Sequence, residues 1–399
     1  MIVARIILWL STGILLYGYV IYPLLVMAIA RTRRRQLQTD EGFQPSVSII
    51  LAAYNEERAI EACLEGLRTL AYPGNWEILI GSDGSSDRTA EILTAAERTM
   101  PRLRAFNFEA RRGKIPVIND LVHRATGEIL LLTDADVALD RALIARHVRH
   151  YSNPEIGGVA GSLDLIDDQQ QHAARTESDY MRWEERLREA EAAIKSTIGI
   201  FGGNYSIRRN LWKEIPDGPL CDEMYAGLNV MAAKHRMVFD REAVAREPLH
   251  RNVREEYSRK ARFAARGMHT IMAFRHFWQR SLFYASMVVT HKMLRWMTPF
   301  VLLIFIIAFL ADALIRHNAL ELTLVTIAAV SILLASIEPI RSRLKLLASL
   351  WWFLVMNLAF AVGIIRFIFG TERKFWIPAS RSLSATTHHV EQADITQYQ

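Results

Sequence analysis

The stretch Glu128-Ile-Leu-Leu-Leu-Thr-Asp-Ala-Asp136 decides the fold of this chain. Its unbroken apolar run predicts a strand that is buried on both faces and that ends at two carboxylates. Two earlier runs have the same form: Val47–Ala53 is followed by Tyr-Asn-Glu, and Trp76–Gly81 is followed by Ser-Asp-Gly. A helical pattern follows each of them. This alternation predicts an α/β fold with a mostly parallel, doubly wound sheet.

Polar side chains collect at the carboxyl ends of these predicted strands, the edge at which such sheets bind ligands. Asp134 and Asp136 alternate in an extended segment and therefore point to one side of it. Two carboxylates suit Mg²⁺ or Mn²⁺ shared with a diphosphate, although a solvated acidic turn has the same sequence. Asp83, at the end of the neighbouring strand, is either ordinary turn chemistry or a contact to a base or ribose.

Three further polar groups allow both a chemical and a structural interpretation. Lys114 ends the basic turn Arg-Arg-Gly-Lys, which either neutralises a diphosphate or is a solvated loop. Asp222 and Glu223 either accept a proton from a hydroxyl group or form the acidic first turn of a helix. The basic cluster around Arg259 and Arg262 suits a membrane-surface helix or the stabilisation of a departing phosphate.

Apolar segments at both ends predict membrane attachment. Hydrophobic residues make up 51% of the 399 residues, and the excess lies in the first 30 residues and in the last third. Ile6–Ala30 carries no charge and is longer than the roughly 20 residues that cross a bilayer. A signal peptide is the alternative, but the run is too long and is followed directly by Arg-Thr-Arg-Arg-Arg. The positive-inside rule then places the middle of the chain in the cytoplasm.

The last third contains the apolar stretches Leu294–Ile315, Ala319–Ile337 and Leu346–Phe369. The first two suit a membrane hairpin. The third leaves two alternatives: a crossing puts the basic tail outside, against the positive-inside rule, whereas a helix partly in the interface does not. Residues 271–293 mix aromatic and basic side chains, which suits membrane-surface helices or a buried helix. The expected segments are an anchor (1–31), a cytoplasmic α/β domain (45–270), interfacial helices (271–293), transmembrane helices (294–370) and a polar tail (371–399).

The remaining bulk properties argue against two classes of protein. The formal net charge is +6, but the basic clusters follow the edges of apolar segments and no aromatic-basic binding module is present, so no nucleic-acid partner is expected. The two cysteines are Cys63 and Cys221, and their spacing suits neither a metal site nor a disulfide framework. A reducing compartment is therefore expected.

Six short motifs follow one another along residues 45–270, each weak alone but specific in their order and spacing. They are Tyr54-Asn55-Glu56, Asp83-Gly84-Ser85, Gly113-Lys114, Thr133-Asp134-Ala135-Asp136, Asp222-Glu223 and Arg259-Lys260-Ala261-Arg262-Phe263. This order resembles the family-2 glycosyltransferases, which include the cellulose, chitin and hyaluronan synthases. The flanking membrane segments fit the same family.

The resemblance implies a nucleotide-sugar-binding fold, a UDP-sugar donor, a Mg²⁺ or Mn²⁺ cofactor and inversion at the anomeric carbon. It implies that Asp83 contacts the uracil and that Lys114 lies near the nucleotide. Asp136 would be the main metal ligand, and Asp134 would contact the donor sugar or ribose and assist with the metal. The wall of the nucleotide pocket would be Ala53, Tyr54, Asn55 and Glu56.

The resemblance also assigns the acceptor side. Glu223 stands where the family has the final acid of Thr-Glu-Asp, the general base, although another register would give this role to Asp222. Arg262 would stabilise the departing phosphate, and Phe263 would stack on a sugar. Arg259 and Phe263 replace the Gln and Trp of the family's Gln-x-x-Arg-Trp motif, which leaves processive synthesis open. The acceptor site would be formed by Gly202, Gly203 and Asn204.

The sequence therefore predicts a multi-pass glycosyltransferase of the inner (plasma) membrane with a cytoplasmic catalytic domain. Its partners would be a UDP-sugar, a glycan or lipid-linked acceptor, the lipid bilayer and other proteins of polysaccharide synthesis or export. Two acceptors remain open, a growing exopolysaccharide and a lipid-linked sugar that receives one residue. A catalytically silent scaffold subunit is the alternative from another class.

Overall fold

The structure is a computed structural model, and it describes residues 2–32, 38–166, 172–248 and 253–372. These residues divide into two compact units. The helical unit contains residues 2–29, 172–181 and 253–372. The sheet unit contains residues 30–32, 38–166 and 182–248. Most of the polar tail that the sequence predicts at 371–399 lies outside the described residues.

The described chain begins with one continuous helical segment. It comprises α1 (Ile2–Leu16), a π-helical turn (Tyr17–Ile21) and α2 (Tyr22–Thr32). Its mean hydropathy and its length are sufficient for a membrane span. The predicted anchor thus corresponds to a single helical segment of suitable length and composition.

The sheet unit is an α/β sheet of eight strands within the described residues. The strands are β1 (Val47–Ala53), β2 (Trp76–Asp83), β3 (Leu103–Phe108), β4 (Ile129–Thr133), β5 (Ala138–Leu139), β6 (Ile156–Ile166), β7 (Tyr205–Arg208) and β8 (Arg236–Pro248). Their order in the sheet is β3-β2-β1-β4-β7-β6-β8-β5. The first four are parallel, β7 is antiparallel to both of its neighbours, and β6 is parallel to β8.

Helices connect these strands and cover the sheet. They are α3 (Ile60–Thr69), α4 (Thr89–Glu97), α5 (Lys114–Arg124), α6 (Leu143–Val148), α7 (His172–Ile194) and α8 (Asp222–Ala232). Every residue of β1 and of β4 is buried, because helices cover both faces of the parallel strands. The predicted fold class, a mostly parallel α/β sheet flanked by apolar helices, is confirmed.

The helical unit continues after the sheet unit with a series of helices. They are α9 (Val253–Ala273), α10 (Arg275–Arg280), α11 (Leu282–Met287), a π-helical segment (Val288–Met293), α12 (Leu294–Trp296), α13 (Thr298–Arg316), α14 (Ala319–Ser336), α15 (Glu338–Arg341) and α16 (Lys345–Ile368). Within the described residues, four helices are long and apolar enough to cross a membrane: Ile2–Thr32, α13, α14 and α16.

Contacts between α1 and α13 orient the helical unit. The Arg5 guanidinium lies 3.4 Å from the carboxylate of Asp312, and the hydroxyl groups of Tyr19 and Thr298 are hydrogen-bonded at 2.9 Å. The start of α1 thus lies beside the end of α13, so the two helices are antiparallel. The structure also assigns α9 to this unit, although the sequence suggested that its domain continued to residue 270.

Candidate active site

The polar strand ends lie together at one edge of the sheet. The parallel register pairs Ala53 with Ser82 across β1 and β2, and Leu51 with Thr133 across β1 and β4. The segments that follow these strands, residues 54–56, 83–87 and 134–136, therefore leave the sheet at the same level. This edge is the one at which parallel α/β sheets bind ligands.

Asp83 holds the basic turn against the end of β2. Its two carboxylate oxygens accept hydrogen bonds from the backbone N–H groups of Arg112 (2.7 Å) and Gly113 (2.8 Å). Gly84 has a φ of +63°, and a Cβ there would lie 2.5 Å from the backbone nitrogen of Arg111. Glycine permits both this conformation and this approach. The turn is thereby fixed, and it delivers Lys114 to the site.

The segment after β1 is bonded to the segment after β2. The amide N–H of Asn55 donates to Ser85 Oγ at 3.2 Å, and its side-chain oxygen accepts from the N–H of Ser86 at 2.8 Å. The guanidinium of Arg111 lies over the ring of Tyr54, 3.7 Å from its centroid. Glu56 is buried, and its N–H donates to a threonine hydroxyl at the start of α4. The predicted nucleotide-side residues therefore form one continuous wall.

Lys114 connects the end of β4 to the start of α8. Its ammonium nitrogen lies 2.8 Å from Oδ1 of Asp134 and 3.1 Å from Oδ2 of Asp222. Burial acts to lower the pKa of Lys114, but the carboxylates of Asp134, Asp222 and Glu223 raise it above its ordinary value overall. Lys114 is therefore positively charged and is shared between two acids that are distant in the sequence.

Asp222 and Glu223 are both buried in the first turn of α8, yet their pKa values move in opposite directions. Burial raises the pKa of Asp222, but the charge of Lys114 outweighs this and lowers it. Burial and the neighbouring Asp222 carboxylate raise the pKa of Glu223 to about 8. The two acids titrate as a pair, and the first proton that the ionised pair binds is held on Glu223.

Gly202 lies beside both Glu223 and Asp134. A Cβ atom placed on Gly202 would lie 3.6 Å from Oε2 of Glu223 and 3.7 Å from Oδ2 of Asp134. Because glycine has no side chain, a space remains between these two oxygens. We call this space the Gly202 gap. Gly203 adds to it indirectly, since its carbonyl accepts a hydrogen bond from Thr133 that ties the loop to β4.

Asn204 is fully buried and belongs to the scaffold. Its amide nitrogen donates to the carbonyls of Ser162 and Ala243, and its oxygen bonds to a ring nitrogen of His147. The structure thus places Gly202 and Gly203 beside the acids, and their role in an acceptor site remains a prediction. The Asn204 side chain instead lies within the sheet unit, where three hydrogen bonds occupy it.

Two residues near the acid pair were not identified from the sequence. The Cys221 thiol directly precedes the pair and donates a hydrogen bond to Oε1 of Glu223 at 3.0 Å. Tyr205 is fully buried, and the charges of Asp222, Glu223 and Asp134 all add to the burial that raises its pKa. Alternation along β7 was the available signal, because it places Tyr205 on the opposite face from Asn204.

The acids after β4 suit a divalent cation that is shared with a substrate. Asp136 is buried and Asp134 is half-buried, and both follow the same strand. Mg²⁺ is usually held by one or two carboxylates together with substrate phosphates. Within residues 2–32, 38–166, 172–248 and 253–372, no group of three or more His, Cys, Asp or Glu side chains is arranged to hold a metal. The donor set therefore fits a cation completed by a diphosphate and not a closed protein site.

The last predicted motif lies in the helical unit. Burial, Arg266 and Arg259 lower the pKa of Arg262 to about 10, against the opposing effect of Glu372. The ring of Phe263 packs edge-on against Trp296, with 5.7 Å between the ring centroids. The roles of Arg262 in phosphate stabilisation and of Phe263 in sugar stacking remain predictions.

The sequence profile described as glycosyl transferase family 2 matches residues 48–245, which contain the whole constellation from Glu56 to Glu223. The chain belongs to glycosyl transferase family 2. The predicted family and the predicted glycosyltransferase class of the domain are thereby confirmed.

Two curated relatives show how this family-2 domain is used elsewhere. It is 32% identical over 117 residues to the poly-beta-1,6-N-acetyl-D-glucosamine synthase of Staphylococcus epidermidis, covering 29% of this chain and 28% of that protein. It is also 32% identical over 136 residues to the beta-monoglucosyldiacylglycerol synthase of Trichormus variabilis, covering 33% of this chain and 29% of that protein. The family-2 chain therefore matches less than a third of the length of either relative.

A solved structure has the same fold over most of the family-2 chain. It is the mannosyltransferase PcManGT from Pyrobaculum calidifontis in complex with GDP-Man and Mn²⁺, with a TM-score of 0.69 and 20% sequence identity. The match covers 92% of this chain and 100% of that one. At this identity the likeness establishes the fold.

Proposed function

We propose that the chain transfers a sugar from a nucleotide-diphosphate sugar to an acceptor hydroxyl group, by a single displacement that inverts the anomeric carbon. The observation that carries the proposal is the Gly202 gap. Oδ2 of Asp134, the proposed donor-side acid, and Oε2 of Glu223, the proposed acceptor-side acid, both lie beside this space, and Lys114 pairs with Asp134 and Asp222. A displacement needs a base close to the donor, and these contacts support that arrangement.

In this proposal Glu223 is the general base and Asp222 is its ionised neighbour. As the acceptor oxygen forms its bond to the anomeric carbon, the bond from that carbon to the diphosphate oxygen breaks, and the acceptor proton passes to Glu223. A pKa of about 8 supports the role, because a base works best when its pKa is near the working pH. Lys114 lies where it can hold the diphosphate.

A divalent cation, Mg²⁺ or Mn²⁺, would be held by Asp136 and by Oδ2 of Asp134. When bound, it would neutralise the negative charge that develops on the departing diphosphate. The chain's own contribution is to hold the two carboxylates at the end of β4. The Mn²⁺ in the structure of the mannosyltransferase PcManGT supports this assignment.

The donor would be a UDP-sugar, with Asp83 and the segment from Ala53 to Glu56 on the nucleotide side. The family resemblance supports this choice. GDP-Man in the PcManGT structure provides the competing choice, so both nucleotide classes belong in the test. The acceptor would be a growing glycan, as the name of the S. epidermidis relative suggests. A lipid acceptor is the second candidate, because another relative is named as a glycolipid synthase.

The protein would act at the inner (plasma) membrane, with the sheet unit in the cytoplasm. Four helices of sufficient length and hydropathy support attachment to a membrane. The basic residues directly after the first helical segment support a cytoplasmic position for the residues that follow.

The test is nucleotide release and sugar transfer by the purified full-length chain in detergent, with UDP- and GDP-sugars and with Mg²⁺ or Mn²⁺. Glu223→Gln removes the base, and we expect kcat to fall by about 10²- to 10⁴-fold. Asp136→Asn should cost about 10²-fold and weaken metal-dependent nucleotide binding. Glu214→Gln, an exposed amide substitution outside the site, is the matched control and should behave as wild type.

Two results would contradict the proposal, and a third measurement would identify the acceptor. Glu223→Gln and Asp136→Asn proteins that transfer sugar at the wild-type rate would exclude these residues from the chemistry. A wild-type protein that binds no nucleotide by calorimetry would favour the catalytically silent scaffold subunit. A radiolabelled product that runs as a ladder would indicate a polymer, whereas a single lipid-soluble spot would indicate the lipid acceptor.

A further inference from the structure

The two carboxylate oxygens of Glu223 face different surroundings. Oε1 accepts the hydrogen bond from the Cys221 thiol, with 3.0 Å between sulfur and oxygen. Oε2 lies beside the Gly202 gap, 3.6 Å from the position that a Cβ of Gly202 would occupy. Cys221 thus holds one oxygen, and the other lies beside the space in which the acceptor would react; the Glu223 carboxyl also shares a side-chain hydrogen bond with Asp222.

The Cys221 thiol is suited to be a permanent hydrogen-bond donor. Burial raises the pKa of Cys221 well above its ordinary value, and the neighbouring charges of Glu223 and Asp222 raise it further. The thiol therefore keeps its proton at neutral pH and is not a nucleophile. Cys221 also directly precedes α8, and its side chain makes no capping hydrogen bond to that helix.

Tyr205 is a second buried group whose pKa the acid pair affects. Its hydroxyl is fully buried, and it has no hydrogen-bond partner among the residues that the structure describes. Burial and the charges of Asp222 and Glu223 raise the pKa of Tyr205 well above its ordinary value. Tyr205 is therefore, like Cys221, neutral and protonated at neutral pH.

We propose that Cys221 is a positioning residue for the base: by holding Oε1 of Glu223, it leaves Oε2 as the oxygen that takes the acceptor proton. The inference rests on the proposed function. During transfer the acceptor proton moves to Oε2, and the thiol proton stays on sulfur throughout. Cys221 acts only through Glu223 and contacts neither donor nor acceptor.

The test compares Cys221→Ala with Cys221→Ser in the full-length protein. Alanine removes the donor, and we expect kcat to fall by about tenfold while KM for the nucleotide sugar is unchanged, since a hydrogen bond to a charged group is lost only on the acceptor side. Serine restores an O–H donor and should recover kcat to within about threefold of wild type. A role in folding alone would lower the thermal midpoint in both variants and would not distinguish them.

Cys63→Ala is the matched control. It deletes the same sulfur atom from another buried position of the sheet unit, in helix α3. We expect it to keep the wild-type kcat. The infrared S–H stretch of Cys221, isolated by difference against Cys221→Ser, reports the hydrogen bond directly and should shift in Glu223→Gln.

The outcomes separate this inference from the proposed function. Cys221→Ala with wild-type kcat, or Cys221→Ser as impaired as alanine at an unchanged thermal midpoint, would overturn the positioning role while leaving the loss in Glu223→Gln intact. Transfer that survives in Glu223→Gln would instead overturn the proposed function. An S–H stretch that is the same in wild type and Glu223→Gln would show that the thiol does not hold Glu223.

Discussion

At the scale of single residues, the missing side chain of Gly202 is as important to the site as the acids around it. In the proposed function the acids carry out the chemistry, and the absence of a side chain at Gly202 leaves space for the acceptor. Gly202 and the adjacent Gly203 are both glycine, but their surroundings differ. A Cβ on Gly203 would lie 2.7 Å from a methyl group of Val137, whereas at Gly202 the nearest atoms lie at ordinary contact distances.

Gly202→Ala should therefore fold normally and lose acceptor use. The added methyl group fills the Gly202 gap without a backbone clash, and displacement of a reacting group by about 1 Å can cost about 10²-fold in rate. We expect kcat/KM for the acceptor to fall by about that factor, with nucleotide affinity and thermal midpoint unchanged. Steady-state kinetics measures kcat/KM for the acceptor, and calorimetry measures the nucleotide affinity and the thermal midpoint.

The control for this substitution is Gly66→Ala. Gly66 lies in helix α3, where a Cβ would meet no atom within 4 Å. It should have wild-type kinetics, and its thermal midpoint should be unchanged or slightly higher, because alanine favours a helix more than glycine does. If Gly202→Ala also keeps wild-type acceptor kinetics, the acceptor does not pass through the Gly202 gap.

At the scale of elements, three of the four parallel strands could be predicted from the sequence, and the antiparallel half of the sheet could not. The strands β1, β2 and β4 are continuous apolar runs, and their polar ends indicated the candidate site edge. The edge strand β3 is half-exposed and alternates irregularly, so its sequence gives a weak signal. Asn204 directly precedes the short β7, and Ser206 lies in it; both have buried polar groups that bond to long-range partners, which no local pattern reveals.

Those partners fix helix α6 to β7. The ring nitrogens of His147 bond to Ser206 Oγ (2.9 Å) and to Asn204 Oδ1 (2.8 Å), and Tyr151 also bonds to Ser206 at 2.8 Å. Burial, the largest effect, lowers the pKa of His147 to about 4 although the bond to Asn204 opposes it. His147 is therefore neutral in the folded protein at neutral pH. The contact between α6 and β7 depends on that neutral state.

This contact should give the protein an acid-sensitive stability. The pKa of His147 in the folded protein lies below its unfolded value of about 6.5. Its contribution to the free energy of unfolding is therefore complete above pH 6.5 and is lost as the pH falls through 4. A shift of this size corresponds to about 3 kcal/mol. Thermal midpoints of the full-length protein in detergent, measured from pH 7.5 to pH 4, should fall less steeply in His147→Gln than in wild type.

The matched control for that titration is His123→Gln, which changes an exposed histidine at the end of α5. Its pH dependence should follow that of wild type. A His147→Gln protein with the same slope as wild type would show that the titration of His147 does not contribute. Asp240, whose pKa burial raises but His150 and Arg149 lower to about 2, accounts for further loss only at still lower pH.

At the scale of the whole molecule, the helical unit bears on the third apolar stretch, which the sequence left undecided. Helix α9 carries charged side chains along most of its length and cannot cross an apolar core. It packs along the last turns of α16. A Cβ on Gly363 would clash with the carbonyl oxygen of Ala261, and Arg266 lies 3.7 Å from the carboxylate of Glu372. The end of α16 is therefore at the level of α9.

We predict that α9 and the C-terminus are on the same side of the membrane. If α13 and α14 form the expected hairpin, α16 then begins and ends on one side and lies along the interface. Ser258→Cys, at an exposed position of α9, and Thr371→Cys, at an exposed position after α16, should react alike with a membrane-impermeant maleimide, in intact cells and in inverted vesicles. The two native thiols are buried, and the wild-type protein supplies the background labelling. Labelling from opposite sides would show that α16 crosses.

The ion pairs of Lys114 also bear on how a bound donor would change the acid pair. One ammonium group pairs with both Asp134 and Asp222. A diphosphate that draws this charge toward itself would leave Asp222 less compensated, and the acid pair would then hold its proton more strongly. We therefore expect the acid limb of the kcat profile, which reports the protein with its donor bound, to lie at a higher pH than the acid limb of kcat/KM for the donor.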